Sequence, residues 1–358
     1  MSLSVKIHRW RLHHVSEPVL VMVLAVVVGL LSGLAAVALK TIVYHSSRIV
    51  AQLPAGSSAI FQHSSLIILL LPITGILLTV LFVKHVVRGD IGHGLPSVLL
   101  AISRNNSELP AKNMWTSLVA STITVAFGGS VGLEAPIAST GSAIGSNIGR
   151  WLRLSPKNVR LLLGCGAAGA IAGIFKAPFA AILFVVEVFL FDLTATTALP
   201  LLLSSLTAAT VAYFLMGTGV QFSFSVSQPF TLSQLPFYGV LGVFCALVSL
   251  YFLRVADGVE GWFAKRKSPW TKLIAGGVAL GVMVVIFPPL YGEGYSTLTA
   301  LLGGDSSVIF SGTPYRMWSD NVWVLLGVLL ALIVLKAVAT ATTIGAGGSA
   351  ALLVRRWS

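Results

Sequence analysis

FGGSVGLEAPIASTGSAIGSNIGR, residues 127–150, carries the strongest structural signal in the chain. Glycines crowd around one acid, Glu134, and Pro136 follows two residues later. Glycine permits tight turns and close backbone approach. Proline is tolerated in the first turn of a helix, where its missing N–H would have no partner anyway. Glu134 is therefore expected at or just before a helix start. The preceding LVASTITVAF is apolar, so that start is expected at membrane depth. A helix N-terminus carries unpaired N–H groups and partial positive charge. An anion, or a carboxylate in its place, can rest there.

The wider composition agrees. The 358 residues are 56% hydrophobic and 9% charged, with a mean hydropathy of +0.93. A soluble domain carries about a quarter charged residues. The apolar runs are long and continuous, unlike the alternating segments of about ten residues in a barrel. The chain reads as an all-α polytopic membrane protein. Its net charge of +12 does not indicate nucleic acid, because the basic residues collect in alternate loops, the positive-inside pattern. The opening MSLSVKIHRWRLHHVSEP is polar and basic, and with no convincing small-residue cleavage site after the first apolar run no cleavable signal is expected. Cys165 and Cys245 read as small core residues, with no disulfide framework.

On this pattern residues 1–17 form a cytoplasmic basic segment. Spans are expected at 18–45, 65–87, 236–254, 272–287 and 321–339. Further apolar segments fall at 112–127, 134–149, 158–173, 178–192 and 196–216, several of them shorter than the roughly 20 residues needed to span. Gly128-Gly129, Gly173 and Pro178 interrupt them, and broken helices of this kind are typical of transporter cores. Arg150, Arg153, Lys157 and Arg160 place one loop inside. Lys265, Arg266, Lys267 and Lys272 place another inside. The loop 288–319 is expected outside.

The chain also repeats itself. Gly92-His93-Gly94-Leu95 returns in form as Gly292-Glu293-Gly294-Tyr295, and TVAFGGS at 124–130 returns loosely as TIGAGGS at 343–349. The charge pattern puts the first GxG inside and the second outside. Two oppositely oriented halves follow, 18–217 and an incomplete 236–349. Inverted repeats place the substrate site near the midplane, where broken helices meet.

Glu134 is the sharpest functional candidate, since acids within membrane segments are rare and functional by default. Ionised, it would fill an anion site. Protonated, it would lose that attraction, swing out and admit an anion. The bland alternative is a helix-start carboxylate facing a polar loop. Ser130 could donate to an anion, or pack between helices. His93 could bind or titrate, although a solvated loop histidine is favoured. Glu187 could relay protons, although polar backbone at its helix end is favoured. Lys176 and Lys336 could attract anions, although lysines at such places more often snorkel to water. The Gly-Lys-Ser/Thr ending of a phosphate loop is missing, as is cysteine–histidine metal spacing. Neither an enzyme nor a cofactor is implied.

GGSVGLEAP (128–136) resembles the GxExP signature of the CLC chloride channels and proton–chloride antiporters. Gly92-His93-Gly94-Leu95-Pro96 is similar to that family's GSGIP loop. GAAGAIAGIFKAPFAAILFVVEV is similar to its next helix pair, and PPLYGEGYSTL to its P…GxGY segment. These occur in the family's order over about 18–349. The resemblance implies a CLC-type inverted repeat of broken and tilted helices. It implies chloride, or a similar small anion, as substrate and Glu134 as the gate. Anion binding would fall to His93, Gly94, Ser130, Gly132, Leu133, Gly347 and Gly348. It implies a homodimer in the cell membrane, with the N-terminus cytoplasmic.

Departures qualify this. His93 replaces the family's anion-binding serine. Val188 occupies the position of the second acid of proton-coupled members, which favours passive conduction. Glu187 stands beside it and keeps a proton path through 187–188 open. The family's second glycine loop continues GGxFxP, whereas here GAGGS turns into AALLVRRWS. Residues 350–358 are thus expected to be an aberrant tail, from a frameshift or premature stop. The alternatives to a glutamate-gated pore are a non-conducting fragment and a proton-coupled antiporter.

Overall fold

The computed structural model describes residues 16–52, 61–87, 94–192, 194–219, 231–266, 268–310, 313 and 321–348. Among these residues every regular element is helical. The helices are α1 (Glu17–Gln52), α2 (Phe61–Phe82), α3 (Leu95–Arg104), α4 (Thr116–Ala126) and α5 (Glu134–Trp151). Then come α6 (Pro156–Phe175), α7 (Pro178–Phe189), α8 (Ala195–Met216) and α9 (Leu235–Ala264). The last are α10 (Pro269–Ile286), α11 (Tyr295–Leu302), α12 (Ser307–Phe310) and α13 (Val322–Gly345). α3, α6, α7, α9 and α10 each carry proline in the first turn, where the lost N–H costs no helical hydrogen bond.

Seven described helices, or helical stretches, are long and apolar enough to cross a membrane, while α3, α4 and α7 are apolar but short. The chain is a multi-pass membrane protein. It divides into two compact units. The first holds residues 1–49, 81–122 and 132–220, and the second holds 50–80, 123–131 and 221–358.

The first unit is built around α5 and α6. Every residue of α5 from Pro136 to Gly149 is buried. Gly141 and Gly166 face each other so closely that a methyl group on either would strike the other's carbonyl. α1 meets α8 in the same manner, with Gly29 against Ser204 and Gly33 against Ala208. Lipid tails are as apolar as leucine, so such helices gain by close backbone approach at small residues. The segment before α4 is fastened to α5 as well. Ser146 Oγ donates to Ser107 O (2.7 Å) and accepts from the Leu109 N–H (3.0 Å).

In the second unit α13 packs against both α9 and α10. Tyr251 Oη of α9 donates to Val334 O of α13 at 3.1 Å. Gly277 and Gly281 of α10 sit against Ile73 and Leu69 of α2. Several expectations are corrected here. The stretch 288–319, expected as a loop, contains α11 and α12. α9 continues to Ala264 instead of ending near 254, because VADGVEGWFA lacks a proline to stop it. Lys272, expected in a loop, is buried within α10. Cys165 is buried, but Cys245 is exposed on α9. Residues 1–15 and 350–358 lie outside the described residues.

Candidate anion site

Glu134 is the first residue of α5, and Leu133 is its N-cap. Among the described residues no side chain caps this end. The first bond of the helix runs from Ile137 N–H to Leu133 O at 3.0 Å. Pro136 has no N–H to offer. The amides of Gly132, Leu133 and Ala135 have no hydrogen-bond acceptor among the described residues. Their N–H groups lie at the positive end of the helix dipole. The half-buried Glu134 side chain folds back over Gly132, leaving no room for a Cβ there.

A second helix start lies alongside. Gly94 is the N-cap of α3 at φ +58, in the left-handed region that favours glycine. A methyl group at 94 would rest 3.5 Å from Ala135 Cβ. The starts of α3 and α5 are thus neighbours within the first unit. His93, one residue earlier, lies outside the described residues. Farther along, Glu187 is exposed on α7 while Val188 is half-buried against the core.

Ser130 belongs to the second unit and is fully buried. Its Oγ accepts from Lys336 Nζ at 2.9 Å. The same ammonium donates to Gly292 O, also at 2.9 Å. Ser130 N–H donates to Thr343 Oγ1 at 3.2 Å, and that hydroxyl donates to Ala339 O at 2.7 Å. Nearby, Tyr291 Oη donates to Ala126 O at 2.7 Å. Lys336 thus ties the GGS turn to the second GxG segment, where snorkelling was expected. Sequence reasoning missed this link. The available signal was a lone lysine in the middle of an apolar helix, in a chain whose glycine turns offer polar backbone.

Gly347 has φ +105, and its N–H donates to Ile344 O at 3.0 Å. Gly348 is packed against Thr343 and Thr124. At this end of the chain, therefore, the Gly347 amide is already engaged.

Lys176 also departs from expectation. It is 9% exposed, and its Nζ donates to Gly217 O and Gly219 O, each at 2.6 Å. These carbonyls follow the end of α8. Tyr213 stacks beneath the ammonium at 5.3 Å. The lysine serves as a cap and not as an open cation.

A sequence model described as voltage gated chloride channel matches residues 74–354, most of the chain. The chain belongs to this family. A relative from Ralstonia nicotianae, described as ClcB-like, is 29% identical over 65% of the chain and 56% of its own length. An uncharacterized protein of Methanocaldococcus jannaschii is 23% identical over 78% of the chain and 66% of its own length. The chain thus spans between half and two thirds of these relatives. The fold is similar to that of a CLC-type fluoride/proton antiporter, with a TM-score of 0.68 at 24% identity. That match covers 93% of this chain and 80% of the other. A slow cyanobacterial Cl-/H+ antiporter gives 0.68 at 22% identity, covering 91% and 77%.

Proposed function

We propose that this chain carries chloride, or a similar small anion, across the cell membrane through a pathway gated by Glu134. The observation that carries the reading is the open start of α5. The amides of Gly132, Leu133 and Ala135 have no acceptor among the described residues, and the Glu134 carboxylate folds back against this turn at Gly132. The carboxylate mimics the transported ion. On protonation it loses its hold on the positive helix end, rotates outward and leaves the amides to a mobile anion. Gly94 brings the start of α3 beside this turn and adds a second positive end. His93 precedes Gly94 in the sequence and is proposed as a further donor to the anion. In the second unit, Ser130 retains its hydroxyl hydrogen while Lys336 occupies an oxygen lone pair, which makes that hydrogen a stronger donor. Gly348 is the remaining candidate at the second glycine turn.

Val188 favours conduction without proton coupling, and Glu187 keeps a coupled mode in the test. The protein is further proposed to be a homodimer with a cytoplasmic N-terminus. No cofactor takes part. Chloride efflux from proteoliposomes, recorded at several pH values, tests the reading. Glu134→Gln is expected to abolish the pH dependence while flux persists. An unchanged pH response in that variant would overturn the gate. Proton uptake in the same vesicles separates the modes, and its presence would overturn passive conduction. Absence of chloride flux in the unaltered chain would overturn the transport reading.

A further inference from the structure

A cavity of about 500 Å³ lies in the first unit and shares no lining residue with the candidate anion site. It is bounded by the N-terminal ends of α1, α6 and α8 and by the residues after α7. α1, α6 and α8 all contain candidate spans. α6 has 20 residues, so it extends about 30 Å, one hydrocarbon thickness. The end that these spans share therefore lies where hydrocarbon gives way to headgroups. Val21, Leu161 and Leu199 contribute to the apolar part of the wall.

The polar part carries both signs, with Lys157 and Arg160 against Glu17 and Asp192. None of the four forms an ion pair among the described residues. Arg160 is held from one side. Its guanidinium donates to Leu190 O at 3.2 Å and Phe189 O at 3.4 Å, and stacks on Phe191 at 5.1 Å. Its Nε is buried without a hydrogen-bond partner among the described residues. Three helix starts add partial positive charge, which favours phosphate.

We propose that this cavity holds the headgroup of a zwitterionic aminophospholipid, an inference that rests on the membrane reading but not on the gate. The phosphate lies with Arg160 and Lys157. The primary ammonium lies with Glu17 and Asp192, and an acyl chain follows the apolar wall. The two carboxylates disfavour a purely anionic headgroup such as phosphatidylglycerol. They also disfavour choline, whose quaternary nitrogen has no N–H to donate. The Phe191 ring is already occupied by Arg160, so it offers choline no cation–π face.

Native mass spectrometry of the full chain in detergent tests this. Phosphatidylethanolamine, phosphatidylglycerol and phosphatidylcholine of matched acyl chains are titrated in turn, with soluble glycerophosphoethanolamine as the free headgroup. Phosphatidylethanolamine should be retained about tenfold better than the other two lipids, a difference of ~1.4 kcal/mol. Lys157→Ala should lower its retention several-fold. Lys157 has no partner among the described residues, so folding is not at stake. Asp192→Asn should narrow the preference over phosphatidylglycerol. Equal retention of the three lipids would overturn the proposal, as would retention indifferent to both variants. Binding of the soluble headgroup as tight as that of the lipid would replace it with a site for a free phosphate ester.

Discussion

Lys336 shows what one side chain contributes at membrane depth. A charged group in hydrocarbon is expensive unless paired, and here it meets Ser130 Oγ and Gly292 O. Hydrogen bonds to charged groups contribute about 1.5–3 kcal/mol. Lys336→Met should therefore lower thermal stability in detergent, whereas Lys336→Arg should retain most of it. A melt in which methionine matches lysine would remove the tether. Lys176 makes a parallel case at the end of α8. It adopts φ +54 itself, a conformation that costs a non-glycine residue about 1–2 kcal/mol. Lys176→Gly relieves that strain and removes the ammonium from Gly217 O and Gly219 O. Loss of two charge-assisted bonds should outweigh the relief, so the variant should melt lower. A higher melting temperature would show that strain dominates. Glu134 was legible from sequence because a carboxylate in an apolar run is costly, and the glycines and proline beside it mark a helix start that can hold it. The lysines were not, because a lysine's reach covers many partners and only the fold chooses among them.

At the scale of elements, contact at α5 and α6 is governed by size. Gly141 and Gly166 leave no space for a side chain. Overpacking a filled interface costs about 1–3 kcal/mol, and more where backbone is struck. Gly141→Val should collapse expression or thermal stability, while Gly239→Val on α9, with nothing within 4 Å, should be tolerated. Equal tolerance at both positions would show that α5 and α6 do not pack as described. The starts of the broken helices could be read in advance, because proline and glycine act locally. The full length of α9 could not. Its charged last turns look like a loop by composition, yet no residue there forbids helix.

For the whole molecule, the proposed orientation rests on the basic residues at the junction of α5 and α6, where Arg150 lies in the last turn of one helix, Arg153 lies between them and Lys157 and Arg160 open the next. A cysteine introduced at Lys157, in a Cys165→Ala, Cys245→Ser background, should react with a membrane-impermeant maleimide only from the cytoplasmic side. Labelling from the outer face would reverse the topology and with it the proposed cytoplasmic N-terminus. Reading residues alone was enough to show a helical membrane protein, where its helices break, which family it belongs to and which acid to suspect. These are consequences of local chemistry: apolar run length, proline and glycine geometry, and a charge where charge is costly. Only the tertiary structure decided which glycines touch, which carbonyls the buried lysines satisfy, and that the starts of α3 and α5 lie side by side. It also placed two cations and two acids around one cavity at the end of three spans. Those facts depend on residues far apart in the chain, brought together by packing that no local pattern encodes.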